Sequence, residues 1–253
     1  GYLHDLREEI CLGRENRHYR LDNYLHRNGD NYPTHGIGPI AQYLGINRGN
    51  RFLSLSSVAS KSRGLRNWAA AHLPADHPLQ ERTFNQADVV TTMIQCANGE
   101  TVLCTLNTCL PRPYSRGGLV QGTKGIWMEE GRRLHLDGRG EADEWIPADQ
   151  YLAEFDHPLW VEYQRQGVHE AGHDGMDYLC MCALVESIQE GIAPPIDVYD
   201  AATWMAITVL SEQSVALGGA PVAFPDFTGG EWIHRPPGPV SKYALDRICG
   251  ELF

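Results

Sequence analysis

The chain has 253 residues, 42% of them hydrophobic, enough to bury one large core or two modest ones. Its 21 Lys and Arg stand against 32 Asp and Glu, and the formal charge of -11 repels a phosphate backbone and an anionic lipid surface alike. Nucleic acid and membrane are therefore not expected as partners; a small neutral or cationic ligand is.

No run of about twenty apolar residues is present, and the first residues show neither a basic region leading into an apolar stretch nor a starting methionine. A cytoplasmic setting is expected, with more of the protein lying upstream. The seven cysteines (Cys11, Cys96, Cys104, Cys109, Cys180, Cys182, Cys249) are odd in number and scattered, with no CxxC pair. Several fall at apolar positions of predicted elements, where a reduced thiol acts as a small hydrophobe. A cysteine-built zinc site has little support.

In chain order, "GYLHDLR" reads as a short strand, and Cys11 to Asn31 reads as polar and irregular. "YPTHGIGPIAQYLGI" follows as a helix with a proline in its first turn, where a missing N–H costs nothing. Five strand-like runs come next: "RFLSLSSVASKS", "ADVVTTMIQCA", "TVLCTLNTCL", "GGLVQGT" and "GIWMEEG". Asn98-Gly99 joins the second to the third, a strong hairpin signal, and the set is expected to form one antiparallel meander. From "HPLWVEYQ" the pattern turns helical, with two long helices, "GMDYLCMCALVESIQEG" and "VYDAATWMAITVLSEQSVALG", parted by "IAPPID". The stripe in "YLCMCALVESI" is expected to be core, and a short helix is expected from Ser241. Strands followed by helices predict an α+β fold: an open, mostly antiparallel sheet with helices packed on one face.

Two motifs resemble known sites and fail on context. "HEAGH", His169 to His173, matches the HExxH of zinc hydrolases, in which two histidines one turn apart hold the metal and the glutamate is general base. Gly167, Gly172 and Gly175 crowd it, and each glycine costs a helix interior about 1 kcal/mol. The following helix is expected to begin after the motif, with Asp174 as its cap. The extended zinc motif needs a glycine at position 176 and a histidine at 179, where the chain has Met176 and Leu179. No metal site is expected. Gly36, Gly38 and Ala41 imitate a dinucleotide fingerprint, but "NGDNYPT" ahead of them is no strand. Their expected role is close helix packing.

Tyr32 and His35 are three residues apart at a helix start, so they share a face. A helix amino terminus disfavours imidazolium, which keeps His35 neutral and able to accept a proton. Taken alone, capping of its own helix is the commoner role for such a histidine.

The blocks "GYLHDLR", "YRLDNYLHRNGDNYPTHGIGPIAQYLGINRG", "LPRPYSRG", "HDGMDY" and "DVYDAATWMAI" together resemble the second domain of the Gfo/Idh/MocA oxidoreductases. Within these they are most similar to the NAD-dependent glycosidase branch typified by bacterial α-N-acetylgalactosaminidase. The resemblance runs from Gly1 to about Phe227, so residues 1–253 are expected to be one substrate and oligomerisation domain, with 228–253 lying beyond the match. It implies that the Rossmann domain of the family precedes the part matching Gly1. This chain would then bind NAD poorly and be inactive by itself.

The resemblance also implies site residues. Tyr2, Arg20, Tyr32 and Tyr114 match positions that line the sugar pocket. Tyr32, Pro33, Thr34 and His35 match the segment that meets the nicotinamide end of NAD. His173 and Asp177 match an "HGGMD" block near the pocket, with Asp174 replacing the first of its two glycines. Read alone, each tyrosine is a core aromatic and Arg20 is as much a solvated charge as a ligand.

The chemistry implied is oxidation of the sugar at C3 by NAD, loss of the acidified C2 proton, expulsion of the glycosidic oxygen, addition of water and return of the hydride. Such enzymes fall outside the two-carboxylate rule of glycoside hydrolysis. His35 is the expected base at the C3 hydroxyl, and Tyr114 would orient the sugar or the departing oxygen. Tyr2 is the candidate for the C2 proton, provided that Arg20 or His4 lowers its pKa. The family's sugar and cyclitol dehydrogenases carry an aspartate four residues before the equivalent of His35, where this chain has Asn31. That favours the glycosidase over a dehydrogenase of a free sugar. A noncatalytic sugar-binding domain is the third alternative, and homo-oligomers through the sheet are expected by resemblance.

Overall fold

The computed structural model describes residues 1–13, 18–166, 172–239 and 241–244. Three strands with period-2 burial, β2 (Phe52–Ala59), β3 (Val90–Cys96) and β4 (Thr101–Asn107), form the centre of the larger sheet. The Asn98-Gly99 hairpin joins β3 to β4 as expected, with Gly99 at φ 99°. Two short strands, β1 (Tyr2–Leu3) and β9 (Val222–Ala223), complete the order β1-β4-β3-β2-β9. β1 runs parallel to β4, and every other pair in this sheet is antiparallel.

One face of the sheet is covered by α3 (Thr34–Tyr43) and α8 (Val198–Ala216). Ile37 and Ala41 from α3, with Trp204, Ile207 and Leu210 from α8, pack on Phe52, Leu55, Ile94, Val102 and Cys104. The other face exposes Val58, Met93 and Leu103. A second cluster lies at the β1 end, where α1 (Arg7–Leu12), α2 (His18–His26) and α4 (Gly64–His72) enclose Tyr2, Ile10, Tyr24 and Leu65.

The α+β class holds, and several local expectations change. The expected single meander divides: β5 (Leu119–Gly122), β6 (Gly125–Met128), β7 (Arg133–Leu136) and β8 (Ile146–Pro147) form a separate antiparallel sheet. Pro111 and Pro113, between β4 and β5, have no N–H to give a ladder, so pairing stops there. The stretch read as irregular contains the end of α1 and all of α2. Leu21, Tyr24 and Leu25, at i, i+3 and i+4, turn one edge of α2 inward, and its polar remainder hides that pattern. No element was expected over α4. The helices α5 (Leu152–Phe155) and α6 (Pro158–Gln166) lead toward α7 (Met176–Glu190). Only Ser187 of α7 is buried, and Met181, Leu184 and Ile188 are exposed, so its apolar stripe is not core within this chain. α7 does begin after the "HEAGH" motif, but Gly175 rather than Asp174 occupies its cap, with no side-chain bond. The helix expected from Ser241 falls mainly on positions outside the described residues.

The start of α8 is held by charge. Asp197 and Asp200 form a capping box, and Arg48 donates to both oxygens of Asp200 at 2.8 Å and to Asp197 at 3.3 Å. The Asp200 side chain is only 2% exposed. Removing a guanidinium from a buried carboxylate typically costs about 3–5 kcal/mol. Arg48→Ala is therefore expected to lower stability by about that amount in urea unfolding, with Arg48→Lys recovering part of it.

Candidate active site

β1 carries the site because it is flanked on both sides. Leu3 pairs with Asn107 of β4, and its N–H and carbonyl exchange hydrogen bonds with Ser115 at 3.1 and 2.9 Å. This brings Tyr2 beside Tyr114. The 27–31 loop brings the other half: Asp30 N–H donates to Ser211 Oγ at 2.8 Å, Arg27 pairs with Glu212 at 2.8 Å, and Asn31 Nδ2 donates to Gln86 at 2.5 Å. The turn that follows presents Tyr32, Pro33, Thr34 and His35. α3 starts two residues later than Tyr32, yet the Tyr32 and His35 rings lie 4.6 Å apart between centroids.

Tyr2 is the hub. Its ring lies 4.7 Å from Tyr32, 5.1 Å from His35 and 6.3 Å from Tyr114, and its hydroxyl is 3.4 Å from His4 Nδ1. His4 packs edge-on to Tyr114 at 5.1 Å. Arg20 is buried, 4% exposed, with its guanidinium 5.3 Å above the Tyr32 ring and bonded to Glu9 at 2.7 Å. The solvated-charge reading of Arg20 is thus excluded by its position.

Pro39 lies inside α3 and has no N–H for the His35 carbonyl one turn back. Arg116 Nη1 donates to that carbonyl at 2.8 Å, and its Nε donates to the Tyr114 hydroxyl. Glu129 holds the backbone of the same strap, accepting from Arg116 N–H at 3.1 Å and Gly118 N–H at 2.7 Å. The glycines of the false fingerprint serve packing. A Cβ on Gly36 would stand 2.9 Å from the Gly1 nitrogen, and one on Gly38 would stand 3.4 Å from the Trp204 ring.

Protonation states follow from burial and these cations. Burial, then Arg116, Arg20 and His173, push the His35 imidazole down to about 4, so it is neutral at pH 7. For Tyr2 the expectation is corrected: burial raises its phenol and outweighs the opposing Arg20, while Tyr32 and Tyr114 raise it further. Burial raises Asp30, beneath the Tyr32 turn, to about 6, against the bond it accepts from Tyr32 N–H. Burial opposes ionisation of Glu129, but the N–H bonds from Gly118 and Arg116 keep its carboxyl below the usual range.

His173 and Asp177 form a pair at 3.0 Å on the surface, His173 82% exposed. Asp174 has φ 55° and ψ 32°, a left-handed conformation that aspartate tolerates better than most residues, which accommodates the lost glycine. His169, Glu170 and Ala171 lie outside the described residues. Among the described residues no group of three metal-ligating side chains exists. Cys11 and Cys96 are pushed by burial up to about 11, and Cys104 and Cys109 to about 12, as reduced interior thiols are.

With this geometry in place, comparison with known proteins gives a family. A profile described as "Glycosyl hydrolase 109, C-terminal domain" matches residues 1–234. The chain belongs to glycosyl hydrolase family 109. It is 46% identical over 256 residues to a glycosyl hydrolase family 109 protein of Parabacteroides distasonis, covering 94% of this chain and 55% of that protein. It is 46% identical over 255 residues to an alpha-N-acetylgalactosaminidase of Tannerella forsythia, with 94% and 54% covered. This family 109 chain thus spans about half the length of the curated relatives it matches, and the matching profile is that of the C-terminal domain. A levoglucosan dehydrogenase solved with NADH overlays at a TM-score of 0.48, 15% identical, with 88% of this chain and 64% of that one covered, too distant to carry an argument.

The structure brings five of the residues expected at the site, Tyr2, Arg20, Tyr32, His35 and Tyr114, into one cluster. Arg116 and Glu129 went unrecognised as parts of the site. The second arginine of "RPYSR" and the proline four residues after His35 were the available signals. Asp30 had none, since only the tertiary fold buries it.

The unfolded His35 titrates near 6.5 and the folded one near 4, so folding excludes a proton between those values. Stability from this group is complete above about pH 6.5 and is lost as pH falls toward 4. Nitrogen-15 NMR is expected to show His35 neutral until near pH 4. Arg116→Met is expected to move that midpoint upward.

Proposed function

We propose that this chain is the substrate-binding and catalytic half of an NAD-dependent glycoside hydrolase acting on N-acetylgalactosaminides. The observation that carries the reading is the cluster of Tyr2, Tyr32, His35 and Tyr114 around a neutral imidazole, beside two guanidinium groups. The Tannerella forsythia relative, named alpha-N-acetylgalactosaminidase, supports the sugar and the anomer.

The turn Tyr32, Pro33, Thr34, His35, half-exposed except at the buried Pro33, would fit the nicotinamide end of NAD, because it offers aromatic and hydroxyl contacts. It offers no phosphate cradle: the glycines after it are filled by packing. Bound NAD would supply the acceptor and later the donor of the C3 hydride. His35, unprotonated at neutral pH, accepts the proton of the C3 hydroxyl. Tyr2, kept protonated by burial, is suited to giving a proton at C2 on the return step, and it needs the substrate or cofactor charge to ionise for removal. Tyr114, fixed by Arg116, orients the departing oxygen, and Arg20 offers charge-assisted bonds to sugar hydroxyls or an N-acetyl carbonyl. The exposed pair His173 and Asp177 would face the sugar. Asn31, an amide whose Nδ2 donates to Gln86, cannot share a proton with His35 as a carboxylate would, which favours this chemistry over a dehydrogenase using an aspartate and histidine pair.

In the full-length protein, His35→Ala is expected to lower kcat on p-nitrophenyl N-acetyl-α-galactosaminide by about 10²–10⁴. The wild type should release p-nitrophenol without net NADH, and the isolated chain should be inactive. NADH accumulating in proportion to a free sugar would instead assign a dehydrogenase.

The uncovered face of the large sheet, with Val58 61%, Met93 56% and Leu103 66% exposed, supports a homo-oligomer built through the sheet. Leu103→Glu is expected to convert it to monomer in light scattering while leaving His35 neutral.

A further inference from the structure

A cavity of about 690 Å³ lies between the small sheet and α6, lined by Trp127, Glu129, Arg132, Asp156, Trp160 and Gln164. Its volume is in the range, about 300–1,000 Å³, of pockets that enclose small ligands. Both indoles are held in place while remaining about two-fifths exposed. The Trp127 ring lies against the backbone at Gly118, where a Cβ would approach it to 2.9 Å. Trp160 stacks on the buried Tyr163, centroids 5.2 Å apart and planes 26° from parallel.

The lining selects a ligand class. Indole faces pack on the C–H faces of a sugar ring, and carboxylates and amides take its hydroxyls. Arg132 already pairs with Asp149, so two carboxylates face the cavity against one engaged cation, which disfavours a phosphate or acidic ligand. A wholly apolar ligand would cover Asp156 with nothing to bond its carboxylate, whereas Glu129 already accepts from the N–H groups of Arg116 and Gly118. Glu129 also ties the cavity to the aromatic cluster, since it accepts from the N–H of Arg116, whose side chain reaches Tyr114 and the His35 carbonyl.

We propose that this cavity is a carbohydrate subsite holding the neutral sugar on the leaving-group side of the scissile bond. The proposal rests on the glycosidase reading for its place in the reaction, and on the cavity alone for its ligand.

The test uses the full-length protein and two substrates, methyl N-acetyl-α-galactosaminide and the disaccharide in which the same sugar is α-linked to galactose. Trp160→Ala and, separately, the exposed Gln164→Ala are expected to lower kcat/KM on the disaccharide about tenfold, chiefly through KM, with the methyl glycoside changed less than about twofold. An equal fall on both substrates, or none on either, overturns the proposal. If neither substrate is cleaved, the glycosidase reading fails and binding decides the subsite. Saturable change of tryptophan fluorescence with lactose, lost in Trp160→Ala, supports a carbohydrate site. No saturable change, or a cavity protected from solvent by a second copy or by the remainder of the protein in hydrogen exchange, overturns it.

Discussion

Pro39 cannot give a hydrogen bond to the carbonyl of His35, and the site is organised around that missing donor. The freed carbonyl is the point at which Arg116 joins α3 to the 114–118 strap. The strap in turn borders β1 through the exchange between Leu3 and Ser115, and Glu129 anchors it from the small sheet. One proline therefore converts a helix defect into the contact that fixes Tyr2, His35 and Tyr114 relative to each other. The contact is part-buried, so its loss would cost less than the roughly 1–3 kcal/mol of a fully buried carbonyl left without a donor.

The same guanidinium acts on the protonation of His35. Arg116 and the buried Arg20 place positive charge beside His35 in a chain whose overall charge is -11. Global charge and local field thus have opposite signs. The local field, added to burial, keeps the imidazole free of a proton at neutral pH, the condition for a base. Burial holds Tyr2 as a phenol despite Arg20, so the cluster contains an acceptor and a donor side by side.

The two motifs that imitate known enzyme sites have physical explanations in the fold. The fingerprint glycines admit Gly1 and Trp204 to close contact with α3, where a Cβ on Gly36 would collide with the Gly1 backbone. In the HExxH match, the backbone turns left-handed at His173 and Asp174, so the residues from Gly172 onward do not continue a helix back into the motif. Helical spacing, the premise of the zinc reading, is absent at that end.

Much of the fold was legible locally. Strand-like runs predict β2, β3 and β4, Asn98-Gly99 predicts the hairpin from β3 to β4, and apolar-rich helical runs predict α7 and α8, because each signal is carried by neighbours in the chain. The candidate site residues Tyr2, Arg20, Tyr32, His35 and Tyr114 were singled out through motif resemblance, and physical reading of their types alone left capping, core or solvated-charge roles open. The tertiary structure decided what depends on partners distant in sequence. These include the division of the strands into two sheets, the helicity of the polar α2, the burial of Asp30 and Arg20, the raised rather than lowered Tyr2, and the link from Pro39 to Arg116. Periodicity records which face of an element is buried, whereas a pKa or a satisfied carbonyl records which group from elsewhere arrives there, and that is fixed only when the chain is folded.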